Sequence, residues 1–137
     1  MEKRIKEKIK DIENLLEEIY SWLPEEYDDY EADGKTRAAC QNNFEVISEY
    51  VVEIAVYFIR FKKFRIPNND ESTFKILAEN KIISYDLCQK MIDLRGMRNF
   101  IAHRYGEIDN AKVFYALKEE FRADIEEFIA QINKSLS

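Results

Sequence analysis

Only three glycines and two prolines occur among the 137 residues, too few turn and breaker residues to punctuate the many short strands of an all-β fold. The two cysteines, Cys40 and Cys88, have no partner at metal-ligand spacing, so neither a disulfide framework nor a zinc site is implied. Both read as small core or near-surface hydrophobes. The longest apolar run, Val51 to Ile59, is broken by Glu53 and is far shorter than the roughly 20 residues that span a bilayer, so no membrane partner is expected. The N-terminus, MEKRIKEKIKDIE, alternates charge with isoleucine where a secretory signal would carry an unbroken apolar core, and a cytoplasmic location is the expectation. Basic residues are the minority, 21 against 27 acidic, for a net charge of −6. Such a surface as a whole repels nucleic acid, so any contact with RNA must be local.

What is present points to helices. With 46% hydrophobic and 35% charged residues the chain is too apolar to be disordered. Its length fits one domain, residues 1–137, with one core. Ile5, Ile9, Ile12, Leu16, Ile19 and Leu23 recur by fours and threes and mark an amphipathic helix ended by Pro24. The acidic EEYDDYEADG has poor helix periodicity and closes on Asp33-Gly34, so it reads as a connecting loop. From Thr36 onward Ala39, Asn43, Val46, Tyr50, Ile54, Tyr57 and Phe61 follow helical spacing, with Phe44, Ile47, Val51 and Phe58 widening the apolar face. The aromatic crowding of this helix reads as core packing, with part of it open to a dimer contact.

After Ile66-Pro67-Asn68-Asn69, Asp70 or Ser72 is a candidate cap for a short helix holding Phe74, Leu77 and Ala78, closed by Asn80. Ser84 should cap the next helix, along which Leu87, Met91, Leu94, Met97 or Arg98, and Ile101 or Ala102 share a side. Asp109 or Asn110 should start a last helix with Phe114, Leu117, Phe121, Ile125, Phe128 and Ile132 facing inward. Five helical segments result, one of them short, and short connections between them favour an all-α, antiparallel up-and-down bundle of four long helices plus a short one.

The most informative stretch is RNFIAHRY, Arg98 to Tyr105, which holds the only histidine of the chain. An imidazole titrates near neutral pH and moves protons in both directions, while an arginine stays charged and grips phosphate oxygens by paired hydrogen bonds. The combination suits phosphodiester chemistry. On a regular helix, positions five apart differ by about 140° and positions two apart by about 200°. Arg98 must therefore reach around to share a pocket with His103, and Tyr105 joins that surface only if the helix unwinds, for which Gly106 supplies a reason. The carbonyls of a final turn favour a cationic imidazole, as a general acid needs. Read from spacing alone, His103 could equally be a solvated or capping group, Arg98 a salt-bridge partner, Asn99 a polar helix residue and Tyr105 an anchor for the helix end. Arg95 and Arg104 flank the stretch and would lend positive potential, or are surface charge.

Arg98, four intervening residues that begin with Asn99, then His103 and Tyr105 resemble the R-x4-H-x-Y signature of HepT-like toxins in the HEPN superfamily. The resemblance runs over most of the chain, from SWLPEEYDDYEADGKTRAACQNNFEVISEYV through FKILAENKIISYDLCQKMIDLRGMRNFIAHRYGEID to the last helix. It implies a helical-bundle ribonuclease that needs no metal or other cofactor and works as a homodimer, with Arg98 and His103 of both protomers lining a cleft. In such an enzyme the RNA 2′-hydroxyl attacks the adjacent phosphorus, His103 moves the proton, Arg98 steadies the charge that develops and Asn99 orients the phosphate or the imidazole. The resemblance also implies a nucleotidyltransferase antitoxin that transfers AMP to Tyr105. Two other readings stay open at this point: a non-catalytic nucleotide- or substrate-binding partner of a nucleotidyltransferase, and a plain helical interaction protein. The acidic segment Glu25 to Asp33 reads as a solvated loop or as a surface for a basic partner.

Overall fold

Long amphipathic stripes and few breakers leave the chain little choice but to bury helix against helix. The computed structural model describes residues 1–103 and 109–137, apart from the side chains of Ala102 and His103. Helices α1 (Glu2–Trp22), α2 (Tyr27–Ala32), α3 (Gly34–Lys62), α4 (Asp70–Glu79) and α5 (Tyr85–His103) are followed by α6 (Asn110–Ala116), a π turn (Leu117–Phe121) and α7 (Arg122–Leu136), which run on as one rod. Among the described residues there is no strand, and no helix is long and apolar enough to cross a membrane.

The pairing of side chains fixes the directions. Lys8 meets Glu53 and Asn43 meets Leu15 and Glu18, so α1 and α3 are antiparallel. Glu17 meets Arg122 and Tyr20 meets Leu117, while Ser84 and Lys90 meet Gln131 and Asp124, so the last rod is antiparallel to both α1 and α5. The expected up-and-down bundle of four long helices follows, with α4 as the short helix between α3 and α5. The predicted stripe of α1 is buried from Ile5 to Ile19, and all six predicted positions of the last helix are in the core. Asn43, buried on α3, donates from Nδ2 to the Leu15 carbonyl and to Glu18 Oε1, both at 3.2 Å.

Four local expectations are corrected. The acidic segment is not all loop, because α2 forms within it. Asp28 and Asp29 suit the positive end of a helix, and Tyr30 turns fully inward against Phe114. On α3 the buried line is Cys40, Phe44, Ile47, Val51, Ile54 and Phe58, whereas Tyr50 and Tyr57 lie at its edge, their rings under Lys8 and Arg4 of α1, and Phe61 is exposed. A helix apolar on most sides offers two plausible stripes, and the cations of α1 decide between them. Asn69, not Asp70 or Ser72, caps α4: its Oδ1 accepts from the Ser72 amide at 2.8 Å and Ser72 Oγ accepts from the Asn69 amide at 3.0 Å. The last helix widens into a π turn that its spacing does not announce.

Candidate active site

Helix α5 begins where Ser84 Oγ accepts from the Leu87 amide at 3.1 Å, while the Ser84 amide donates to Gln131 Oε1 of α7 at 2.8 Å. That double anchor sets the rotation of the helix. Leu87, Cys88, Met91 and Ile101 enter the core, Leu94 and Met97 pack at its margin, and Gly96 and Phe100 face outward. Arg95, Arg98 and Asn99 lie between the two faces, half-buried.

Arg95 and Arg98 converge on Glu49 at the middle of α3. Arg95 Nη1 donates to Glu49 Oε2 at 2.8 Å, and Arg98 Nη2 lies 3.2 Å from the same oxygen. Arg95 Nε donates to Asp70, in the first turn of α4. The result is a continuous chain Asp70–Arg95–Glu49–Arg98 that ties together α4, α5 and α3. Burial alone would lower the basicity of Arg95, but its hydrogen bonds to Glu49 and Asp70 outweigh that and hold it above the usual arginine value. Two positive and two negative groups leave the cluster formally neutral. The expectation that Arg95 lends unpaired positive potential is therefore not met, because Asp70 and Glu49 already occupy it.

Arg98 is less enclosed by partners. Its Nη1 donates to Asn99 Oδ1 at 3.3 Å, and its Nε is buried with no acceptor among the described residues. A guanidinium held from two sides with donors to spare is suited to an anionic oxygen. Asn99 thus touches the arginine that precedes it. A hollow of about 470 Å³ opens beside it between α4 and α5, with Asp70, Ile92, Arg95, Gly96 and Asn99 in its wall. Across Gly96 a second hollow, of about 820 Å³, is lined mainly by apolar groups, among them Ile92, Met97, Phe100 and Val113.

His103 is the last residue of α5, about 1.4 turns beyond Arg98, and its side chain lies outside the described residues. Arg104 and Tyr105 also lie outside them. The chain is described again at Asp109, whose Oδ1 accepts from the Lys112 amide at 3.1 Å and caps α6. The structure therefore brings Arg98 and Asn99 together, and adds Glu49 and Asp70. Neither acid stands near the RNFIAHRY stretch in the chain. The one sequence signal for Glu49 is that, with Glu53, it interrupts an otherwise largely apolar stretch of α3. Glu53 has its own cation, Lys8 at 3.2 Å.

Both cysteines are buried and unpaired, and burial pushes the Cys40 thiol up to about 11 and raises that of Cys88, so both are core residues as expected.

Comparison with known proteins adds the family. The chain is similar to the curated mRNA nuclease HepT of Shewanella oneidensis, 28% identical over 87 residues. That stretch is 64% of this chain and 65% of the relative, a little under two thirds of its length. The fold matches the tri-AMPylated HEPN toxin of Shewanella oneidensis solved in complex with MNT antitoxin, with a TM-score of 0.89 and 24% identity over 95% of this chain and 96% of that one. It also matches YutE of Bacillus subtilis, a cytosolic protein of unknown function, with a TM-score of 0.83 and 16% identity over 98% and 90% of the two chains. At those identities the solved structures speak for a shared fold. The family model for ribonuclease HepT-like proteins matches residues 5–132, nearly the whole of the chain, and the protein belongs to that family.

Proposed function

We propose that this chain is the toxin of a toxin–antitoxin pair, an RNA endonuclease that needs no metal. The observation that carries the reading is the half-buried guanidinium of Arg98, held by Glu49 and Asn99 on α5 in a member of the ribonuclease HepT-like family. In the proposed reaction the RNA 2′-hydroxyl attacks the neighbouring phosphorus, His103 takes that proton or returns one to the leaving 5′-oxygen, and Arg98 steadies the charge on the phosphorane. Asn99 orients the arginine. The P–O5′ bond breaks as the new P–O2′ bond forms, leaving a 2′,3′-cyclic phosphate and a 5′-hydroxyl, and DNA is not a substrate because it lacks the attacking group.

Residues 1–137 act as one HEPN-like unit, in the cytoplasm, and as a homodimer. Arg98 and His103 diverge by about 140° on a regular helix, which favours a cleft completed by a second copy. The outward face of α5 supports this assembly, since Phe100 and Gly96 are exposed there beside the larger apolar hollow. A nucleotidyltransferase antitoxin silences the enzyme by transferring AMP to Tyr105, two residues from His103, where added phosphate and bulk would stand in the way of the RNA backbone. A solved fold relative is itself described as a tri-AMPylated toxin in complex with an antitoxin.

The test is RNA cleavage by the purified protein in EDTA. Arg98→Ala and His103→Ala should each abolish cleavage, products should end in a cyclic phosphate, and the all-deoxy oligonucleotide should stay intact. Cleavage equally strong in both variants would refute the assignment.

A further inference from the structure

We propose that Glu49 is a positioning residue for Arg98, and that Asp70 and Arg95 hold Glu49 in that place. The inference rests on the reading of Arg98 as the phosphate-binding group and adds what sets its geometry.

An arginine reaches its target through a long flexible stem, and its planar fork is useful only when its orientation is fixed. Arg98 has no other charged partner among the described residues than Glu49. The carboxylate is well placed to give that orientation. Its backbone belongs to the middle of α3, where Ile47, Ser48, Val51 and Val52 are buried on either side. Its side chain is held from the far side by Arg95 at 2.8 Å, and Arg95 is held in turn by Asp70, next to the capped N-terminus of α4. Glu49 Oε2 therefore cannot swing without breaking a second, shorter contact.

The same arrangement divides labour between the two arginines. Arg95 has its Nε on Asp70 and an Nη on Glu49, and its side chain is 14% exposed. Arg98 is 23% exposed and gives Glu49 a single Nη at the longer distance of 3.2 Å. Because Arg95 draws on the shared oxygen more closely, the carboxylate can orient Arg98 without monopolising it. Without Glu49 the two guanidiniums would face each other with no anion between them and repel. Arg98 would then keep only its longer, 3.3 Å hydrogen bond to Asn99.

A carboxylate beside a phosphate-binding arginine could instead act as a gate that competes with substrate, and the two roles predict opposite signs. Glu49→Ala, Glu49→Gln and Asp70→Asn are compared with the wild type in steady-state RNA cleavage, and the Arg98 Nε–H signal is followed by NMR. Positioning predicts that Glu49→Ala lowers kcat on the order of tenfold or more with KM nearly unchanged. Glu49→Gln, which keeps an acceptor oxygen, should lose less, and Asp70→Asn should fall between wild type and Glu49→Ala. The buried Nε–H of Arg98 should broaden or exchange away in Glu49→Ala while thermal melting shows the fold intact. A rise in kcat/KM on neutralising Glu49, or an unchanged kcat and Arg98 signal, overturns the proposal. Should the wild type cut no RNA, the nuclease reading fails by itself, and the Arg98 signal under titration with inorganic phosphate decides this one. A shift in wild type that is lost in Glu49→Ala supports positioning, and an equal shift in both refutes it.

Discussion

The Tyr20 hydroxyl donates a 2.6 Å hydrogen bond to the carbonyl oxygen of Leu117, 97 positions later, at the first residue of the π turn. A side-chain donor from α1 thus meets the backbone carbonyl where the helical ladder of the last rod changes register. Arg122, just past the turn, sits over the Tyr20 ring at 4.9 Å. Tyr20→Phe removes the donor and keeps the ring, and should lower stability by about 1 kcal/mol. Urea denaturation of the two proteins side by side measures it; equal midpoints would show that the carbonyl is as well served by water.

Alkali should unfold the protein through its inner phenols. Burial pushes Tyr20 and Tyr30 up from their ordinary value near 10 to about 12. The native state therefore keeps protons that the unfolded chain gives up. The stability the phenols contribute is whole below pH 10 and is lost as the pH rises from 10 towards 12, while the Cys40 thiol, raised from 9 to about 11, adds a loss that begins at pH 9. The urea midpoint against pH should fall across that window, and phenolate absorbance should appear with unfolding for these two residues, not before it.

Two lysines hold positions that favour glycine. Lys63 and Lys81 have φ of 57° and 61° and follow the ends of α3 and α4, where the next amides, Phe64 and Ile82, reach back to the carbonyls of Ile59 and Leu77. Lys63→Gly and Lys81→Gly should each stabilise by about 0.5–1 kcal/mol, the relief of left-handed strain exceeding the extra freedom of the unfolded chain. Melting temperatures that fall would mean that the lysine stems matter more than the backbone.

Gly96 permits a test of the outward face of α5. A Cβ built there meets nothing within 4 Å, so Gly96→Ala should stabilise the isolated protomer by about 0.5–1 kcal/mol. Gly96→Leu should be tolerated by the protomer yet weaken the proposed homodimer, as read by sedimentation. A dimer unchanged by leucine would place the contact elsewhere.

Much of this architecture is legible along the chain, and the reasons for the gaps are physical. The stripes of α1, α4 and the last rod each have one clear apolar side, and period alone places them. Helix α3 is apolar on most sides, so the choice between the Tyr50–Tyr57 line and the Phe44–Phe58 line was made by Lys8 and Arg4 of another helix. Six residues of α2, half of them acidic, look like loop until Tyr30 finds Phe114. Arg98 and Asn99 stand out because their motif is local. Glu49 does not, because its link to Arg95 spans 46 positions and exists only once three helices have met.

The internal neutralisation of Arg95 bears on how this molecule would respond to ionic strength. Proteins that hold RNA through many free cations displace a correspondingly large number of counterions, and their affinity collapses as salt is added. Here Asp70 and Glu49 already answer Arg95, on a chain of net charge −6. Arg95 therefore has little left to trade for counterions, and it should add little to the slope of affinity against salt.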